Sequence, residues 1–335
     1  MNKNDLVDCF NSATPSSAQK QKMLKKILDS RQGGTVPLRR TTKRLSLTAA
    51  VIILCVLTAT TALAIGLGWN GKLMEYLKPS EEQMETLSGA VGMPEATVTQ
   101  NGVTITVKQT LADSFGVYVL YEMTVPEGIE LNNDIRWKIE ILDVPTEKTG
   151  EAVTAGSGGS EILEQTGNKR TVLYHLDTTA PFKNGDMKLI LKDLTQYTRN
   201  EETDSIEITP VVEGEWDLAW KFTFVDTSKT IEVNKPLSIN GSKNTITKIV
   251  ISPMSFCAFV KGDDILGGAR PVVNFKDGSK ITYDDLGYEN KSFGYYLIDE
   301  ANMIYQNQLY YRFKNVINVD AVEKVTIGDV TIPIG

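Results

Sequence analysis

Asn101-Gly102-Val103-Thr104-Ile105-Thr106-Val107-Lys108 reads as a tight turn running into a strand. Asn-Gly is the strongest short hairpin signal, because both residues tolerate positive φ. Val103, Ile105 and Val107 then alternate with Thr104, Thr106 and Lys108, the period of a strand with one buried face. The pattern recurs downstream. Val117 to Val125 predicts the next strand, followed by Ile135, Trp137, Ile139 and Ile141, by Thr171–Leu176 and Met187–Leu191, and by Glu215–Val225. In the last of these Trp216, Leu218, Trp220, Phe222 and Phe224 share a face. Gly156-Ser157-Gly158-Gly159-Ser160 reads as a loop.

A second series starts near Ile231 and takes in Leu237–Ile239, Thr245–Ile251, Phe256–Val260, Val272–Phe275, Leu309–Phe313 and Val322–Ile334. Asn240-Gly241 and Asp277-Gly278 are its turns. Many short strands with little helical periodicity predict a mainly β protein of two tandem β-sandwich domains, 96–226 and 227–335.

Upstream the period becomes helical. Lys72–Leu77 predicts a short helix, and Ser80-Glu81-Glu82-Gln83 has capping-box spacing. Met84, Leu87 and Val91 follow at helical intervals, with Gly89 or Gly92 as the end. Residues 69–95 are therefore expected to form a helical stalk.

Before the stalk lies an uncharged run, Leu45 to Gly68. As a helix its 24 residues extend roughly 36 Å, enough for a hydrocarbon core of about 30 Å, so 45–68 is expected to be one transmembrane helix. Arg39, Arg40, Lys43 and Arg44 at its amino end place the N-terminus in the cytoplasm. Trp69, directly after the run, suits the headgroup layer. Ala62-Leu63-Ala64 resembles a signal-peptide cleavage site, but the preceding region is too long for a signal n-region, and anchoring is preferred.

Charge divides along the same line. Of 35 Lys/Arg and 42 Asp/Glu, ten and three lie in 1–44, and 25 and 39 lie in 70–335. The outer part, with a net charge of −14, repels phosphates, which argues against direct nucleic-acid binding. The basic tail, 1–44, predicts a helix from Thr14-Pro15 to about Ser30 and a shorter one over Asp5–Phe10. Met23, Leu24, Ile27 and Leu28 form an apolar stripe on the longer helix, with Leu6, Val7 and Phe10 on the shorter, and the stripe is too small for a core. It must dock on a partner protein, on the other helix, or on anionic membrane lipid.

Chemistry-bearing motifs are sparse. His175 is the chain's one histidine, mid-strand among apolar neighbours, and no G-x-S-x-G elbow accompanies it. Asp263-Asp264 and Asp284-Asp285 do not match an EF-hand loop. Cys9, Cys55 and Cys257 fall in three different regions, so no intramolecular disulfide is expected, and Cys257 reads as a buried thiol. Neither an enzyme activity nor a metal or cofactor is expected.

Gly68-Trp69-Asn70-Gly71-Lys72-Leu73-Met74-Glu75-Tyr76-Leu77, Ser80-Glu81-Glu82 and Asn101 to Gln109 resemble the bacterial family called domain of unknown function 4179. Its members are single-pass membrane proteins of Gram-positive bacteria, many labelled anti-sigma factors. The resemblance covers about 45–130. Over about 215–335, Trp216 to Phe224 and Ile249-Val250-Ile251-Ser252-Pro253 resemble the immunoglobulin-like C-terminal module often found there. The resemblance implies immunoglobulin-like sandwiches, an outer part that senses an extracytoplasmic ligand, and a tail that holds a sigma factor. The alternative is a cell-surface binding or structural module with no signalling role.

Overall fold

The computed structural model describes residues 69–147, 156–201, 203–239, 241–263, 270–286 and 291–335. The tail stripe Leu6, Phe10, Leu24, Ile27 and Leu28, the basic cluster Arg39, Arg40, Lys43 and Arg44, and the apolar run 45–68 all lie outside the described residues. Among the described residues, no helix is long and apolar enough to cross a membrane.

The chain is mainly β, with every strand pairing antiparallel. Two short helices come first, α1 (Gly71–Leu77) and α2 (Glu81–Thr86). Asn70 caps α1, its side chain accepting from the Lys72 amide at 2.9 Å. In α2 the capping box closes both ways: the Gln83 amide donates to Ser80 Oγ at 3.2 Å, and the Ser80 amide donates to Gln83 Oε1 at 2.7 Å.

The strands of the first half are β1 (Val91–Gly92), β2 (Ala96–Gln100), β3 (Val103–Ala112), β4 (Gly116–Thr124), β5 (Ile135–Asp143), β6 (Gly156–Thr166), β7 (Lys169–Thr178), β8 (Gly185–Asn200) and β9 (Ser205–Phe222). One sheet runs β1-β3-β4-β7-β6, with β2 also on β3; the other runs β5-β8-β9. A single core, including Val103, Ile105, Val119, Leu189, Leu191 and Trp216, draws on both sheets. The second half contains β10 (Lys229–Ile239), β11 (Ser242–Ile251), β12 (Ser255–Gly262), β13 (Pro271–Phe275), β14 (Lys280–Thr282), β15 (Lys291–Asp299), β16 (Ile304–Arg312), β17 (Val322–Ile327) and β18 (Val330–Pro333). Its sheets run β10-β11-β12-β16-β15 and β14-β13-β17-β18, around a second core that includes Ile246, Phe256, Val260, Val325 and Ile327.

The two halves have the same topology. Replacing β2, β3, β4, β7 and β6 by β10, β11, β12, β16 and β15 reproduces the first sheet order. Replacing β5, β8 and β9 by β13, β17 and β18 reproduces the second, with β1 in the first half and β14 in the second as additions. The correspondence reaches single residues. Counting back from the hairpin turn, four pairs separate the turn from a bulge in both β3–β4 and β11–β12. Asp113 N bonds Gly116 O at 3.0 Å, and Ser252 N bonds Ser255 O at 2.8 Å. Thr178 N bonds Phe115 O and Phe313 N bonds Met254 O, both at 2.8 Å.

Two expectations are corrected. Gly156–Ser160 opens β6 rather than forming a loop. A Cβ on Gly158 would lie 2.7 Å from the His175 carbonyl oxygen, so glycine here permits close strand approach rather than a turn. The helices α1 and α2 of the expected stalk pack on the sheets. Trp69, Leu73, Leu77, Met84 and Leu87 are buried against Leu111, Leu120 and Leu173 on the outer face of the first sheet, together with Met254 and Val316 of the second half. Trp69 is 4% exposed and its indole N–H donates to the Met84 carbonyl at 3.4 Å. Its ring is therefore committed to protein packing, not to the headgroup layer.

Candidate functional site

The most elaborate polar constellation among the described residues lies in the seam between the two sheet pairs. It is built from the equivalent turns Asp113–Gly116 and Ser252–Ser255. Each turn is tied by its first side chain, as short polar residues do at turns. Asp113 Oδ1 accepts from the Phe115 and Gly116 amides at 3.0 and 2.7 Å. Ser252 Oγ accepts from the Met254 and Ser255 amides at 3.0 and 2.8 Å.

The two turns bond each other. Ser252 Oγ donates to Asp113 Oδ2 at 2.6 Å, and Ser255 Oγ donates to the same oxygen. Asp177 stands opposite Gly116, and Arg312 stands opposite Ser255, so these too are equivalent positions. They form an ion pair at 3.4 Å, with both side chains 3% exposed. The same patch of each half thus faces the other, as in an isologous dimer interface.

Apolar contacts seal the seam. Phe115 packs with Val250, Cys257 and Tyr310, and its ring meets Phe259 at 5.6 Å. Arg312 stacks over Tyr118 at 5.4 Å, and Tyr118 meets Tyr76 of α1 edge-on at 6.2 Å. Gln83 Nε2 donates to Val316 O at 3.0 Å, so α2 also touches the second half.

Burial sets the electrostatics. It pushes the Asp113 carboxyl up, opposed by donation from Ser252, Ser255 and the two amides. It pushes Asp177 up to about 7, with Arg312 pulling down and Asp113 adding to the rise. His175, half-buried on β7, is driven down to about 4 by burial and then by the Arg312 charge.

A second feature lies within the first half, a cleft of about 450 Å³ lined by Glu140, Leu142, Asp143, Tyr174 and Leu176 among others. Tyr121 Oη donates to Glu140 Oε1 at 2.8 Å, and burial raises the Glu140 carboxyl despite donation from Tyr121 and Ser160.

Of the residues singled out in the sequence, Cys257 joins the seam, and Asp263 and Asp285 of the acidic pairs sit elsewhere. Cys257 is 1% exposed and free, in the seam. Asp263 accepts from the Lys243 amide at 3.1 Å, and Asp285 accepts from Thr282; Asp264 lies outside the described residues. Among the described residues, no group of three or more His, Cys, Asp and Glu is placed to hold a metal. Sequence reading missed Asp113, Asp177, Ser252 and Arg312. The one available signal was an Asp-Ser or Ser-Pro turn between two apolar strands, which many surface hairpins share.

Residues 38–124 match the family described as Domain of unknown function (DUF4179), in agreement with the resemblance read from residues 68–109. The solved structure described as "The crystal structure of the conserved domain protein from Bacillus anthracis" is similar at 15% identity. Its TM-score is 0.47, over 71% of this chain and 76% of that one. No curated protein matches the chain.

Proposed function

We propose that this chain is a membrane-anchored extracytoplasmic sensor and regulator, similar to an anti-sigma factor. The run 45–68 crosses the lipid, the basic tail 1–44 lies in the cytoplasm, and two tandem immunoglobulin-like sandwiches stand outside. Leu6, Phe10, Leu24, Ile27 and Leu28 contact the cytoplasmic partner, a sigma factor. The observation that carries the reading is the position of Trp69, α1 and α2. The residues just after the apolar run are packed into the place where both sheet pairs meet. A ligand that shifts one sheet pair against the other therefore acts on the segment leading to the membrane, which a mere tether would not need.

The test is capture from the native host with the full chain as bait, comparing the wild type with Leu24→Asp/Ile27→Asp. Recovery of a sigma factor by the wild type, and its loss in the variant, is the expected result. Protease added to intact protoplasts checks the topology, and a protected carboxyl-terminal bulk would overturn it.

One observation favours a surface binding module instead. The outer ends of β8 and β9 pair as a ribbon whose Ile206 and Ile208 are 65% and 51% exposed. If binding is the whole function, an unrelated basic anchor replacing 1–44 leaves it intact.

A further inference from the structure

The seam holds charges that do not balance. Asp113, Asp177 and Arg312 are each no more than 3% exposed. Guanidinium stays protonated in proteins. Asp113 is occupied as an acceptor on both oxygens, by two amides and two hydroxyls. Ser252 Oγ already accepts two amides, so its own proton is directed at Asp113. Four donors suit an ionised carboxylate at Asp113 against the push of burial, and leave Asp177, with its Arg312 contact at 3.4 Å, as the group that takes the proton. Two negative charges and one positive in a sealed site carry a heavy desolvation cost.

The other groups facing Asp177 do not supply the missing positive charge. Tyr310 and Arg312 come from β16, Tyr118 from β4 and Tyr76 from α1, and burial pushes the Tyr118 and Tyr310 phenols up, keeping them neutral. Cys257, from β12, is likewise held as a thiol by burial. Lys248 of β11 lies at the rim, over the Phe259 ring at 4.4 Å. His175, two residues from Asp177 on β7, is held neutral.

We propose that closing this seam takes up a proton on Asp177, making the junction between the two sheet pairs a proton-coupled latch. When the halves part, Asp177 is rehydrated and its proton passes to bulk water. The proposal does not depend on membrane anchoring or on a sigma partner.

The sign follows from linkage. A carboxyl near 7 in the closed seam and near its ordinary value of about 4 when open binds more protons closed, so closure weakens as pH rises from about 4 to 7. His175 opposes this, because its depressed value makes the closed state bind fewer protons between about 4 and 6.5. In the wild type the two nearly cancel below 6.5, and the latch loosens chiefly as pH rises through about 6.5 to 7.

Cys257 reports opening, since Phe115 of the first half covers it. The full chain is labelled with N-ethylmaleimide, and modification of the Cys257 peptide is followed by mass spectrometry. Protection is the labelling rate of the urea-denatured chain divided by that of the native chain at the same pH. In His175→Gln, protection is expected to be at least tenfold higher at pH 5.5 than at pH 8, and level in His175→Gln/Asp177→Asn. Equal protection at the two pH values in His175→Gln, or a slope that survives in the double variant, overturns the proposal. Should His175→Gln not fold, Asp177→Asn alone decides: its protection falls about tenfold on acidification while the wild type falls not at all. Parallel behaviour of the two chains also overturns it.

Discussion

Asp113 and Ser252 hold the same position in two topologically matching hairpins, 139 residues apart, and are hydrogen-bonded to each other at 2.6 Å. Each caps its own turn while bonding the other's, so local turn geometry and the joining of the halves rest on the same atoms. Removing either side chain should loosen both.

Asp113→Ala strips the partner from two turn amides and two buried hydroxyls. With unsatisfied buried groups costing about 1–3 kcal/mol each, partly offset by removal of a buried charge, the loss should be about 3 kcal/mol or more. Urea unfolding of the full chain measures it. Ser252→Ala, which leaves the carboxylate its amides and Ser255, should cost less.

Gly116 lies where Tyr310 crosses the seam, and a Cβ there would sit 2.1 Å from the Tyr310 hydroxyl. Gly116→Ala should therefore destabilise by about 1–3 kcal/mol through overpacking. Tyr310→Phe in the same chain should relieve part of that, which a double-mutant cycle by thermal unfolding would reveal.

Leu77 is buried in the cluster joining α1 to both halves, and its carbonyl accepts from the Val316 amide at 3.4 Å. Leu77→Ala should cost about 2–5 kcal/mol of local stability. Limited proteolysis should then cut at Lys78 well before the sheets, because the helices detach first. Uniform digestion would count against their separate docking.

Tyr121→Phe removes a donor to Glu140, whose carboxyl burial already raises. The bond stabilises the ionised form, so its loss should be felt above the carboxyl's raised titration range and fade below it. A cost of about 1–3 kcal/mol at pH 8, shrinking at pH 4, is expected from denaturant unfolding at the two pH values.

Much of the β architecture was legible from short-range pattern. Val103, Ile105 and Val107 point inward as their alternation requires, and the Ser80–Gln83 box closes as its spacing predicts. The pattern failed where composition and conformation diverge. Gly158 looked like loop, yet glycine is there because the β7 backbone lies too close for a side chain. Trp69 looked interfacial because an indole after an apolar run has two uses, and only the Leu73–Leu87 packing decides between them.

Periodicity, capping and turn chemistry are properties of neighbours along the chain, and from these the sequence alone determined a mainly β protein preceded by short capped helices and an uncharged run. The duplication of topology, the meeting of equivalent turns and the pairing of Asp177 with Arg312 were decided only by the tertiary structure. Those contacts join residues more than a hundred positions apart. Equivalent sites carry different side chains, Asp113 against Ser252 and Asp177 against Arg312, because complementary groups must face each other across the seam rather than identical ones.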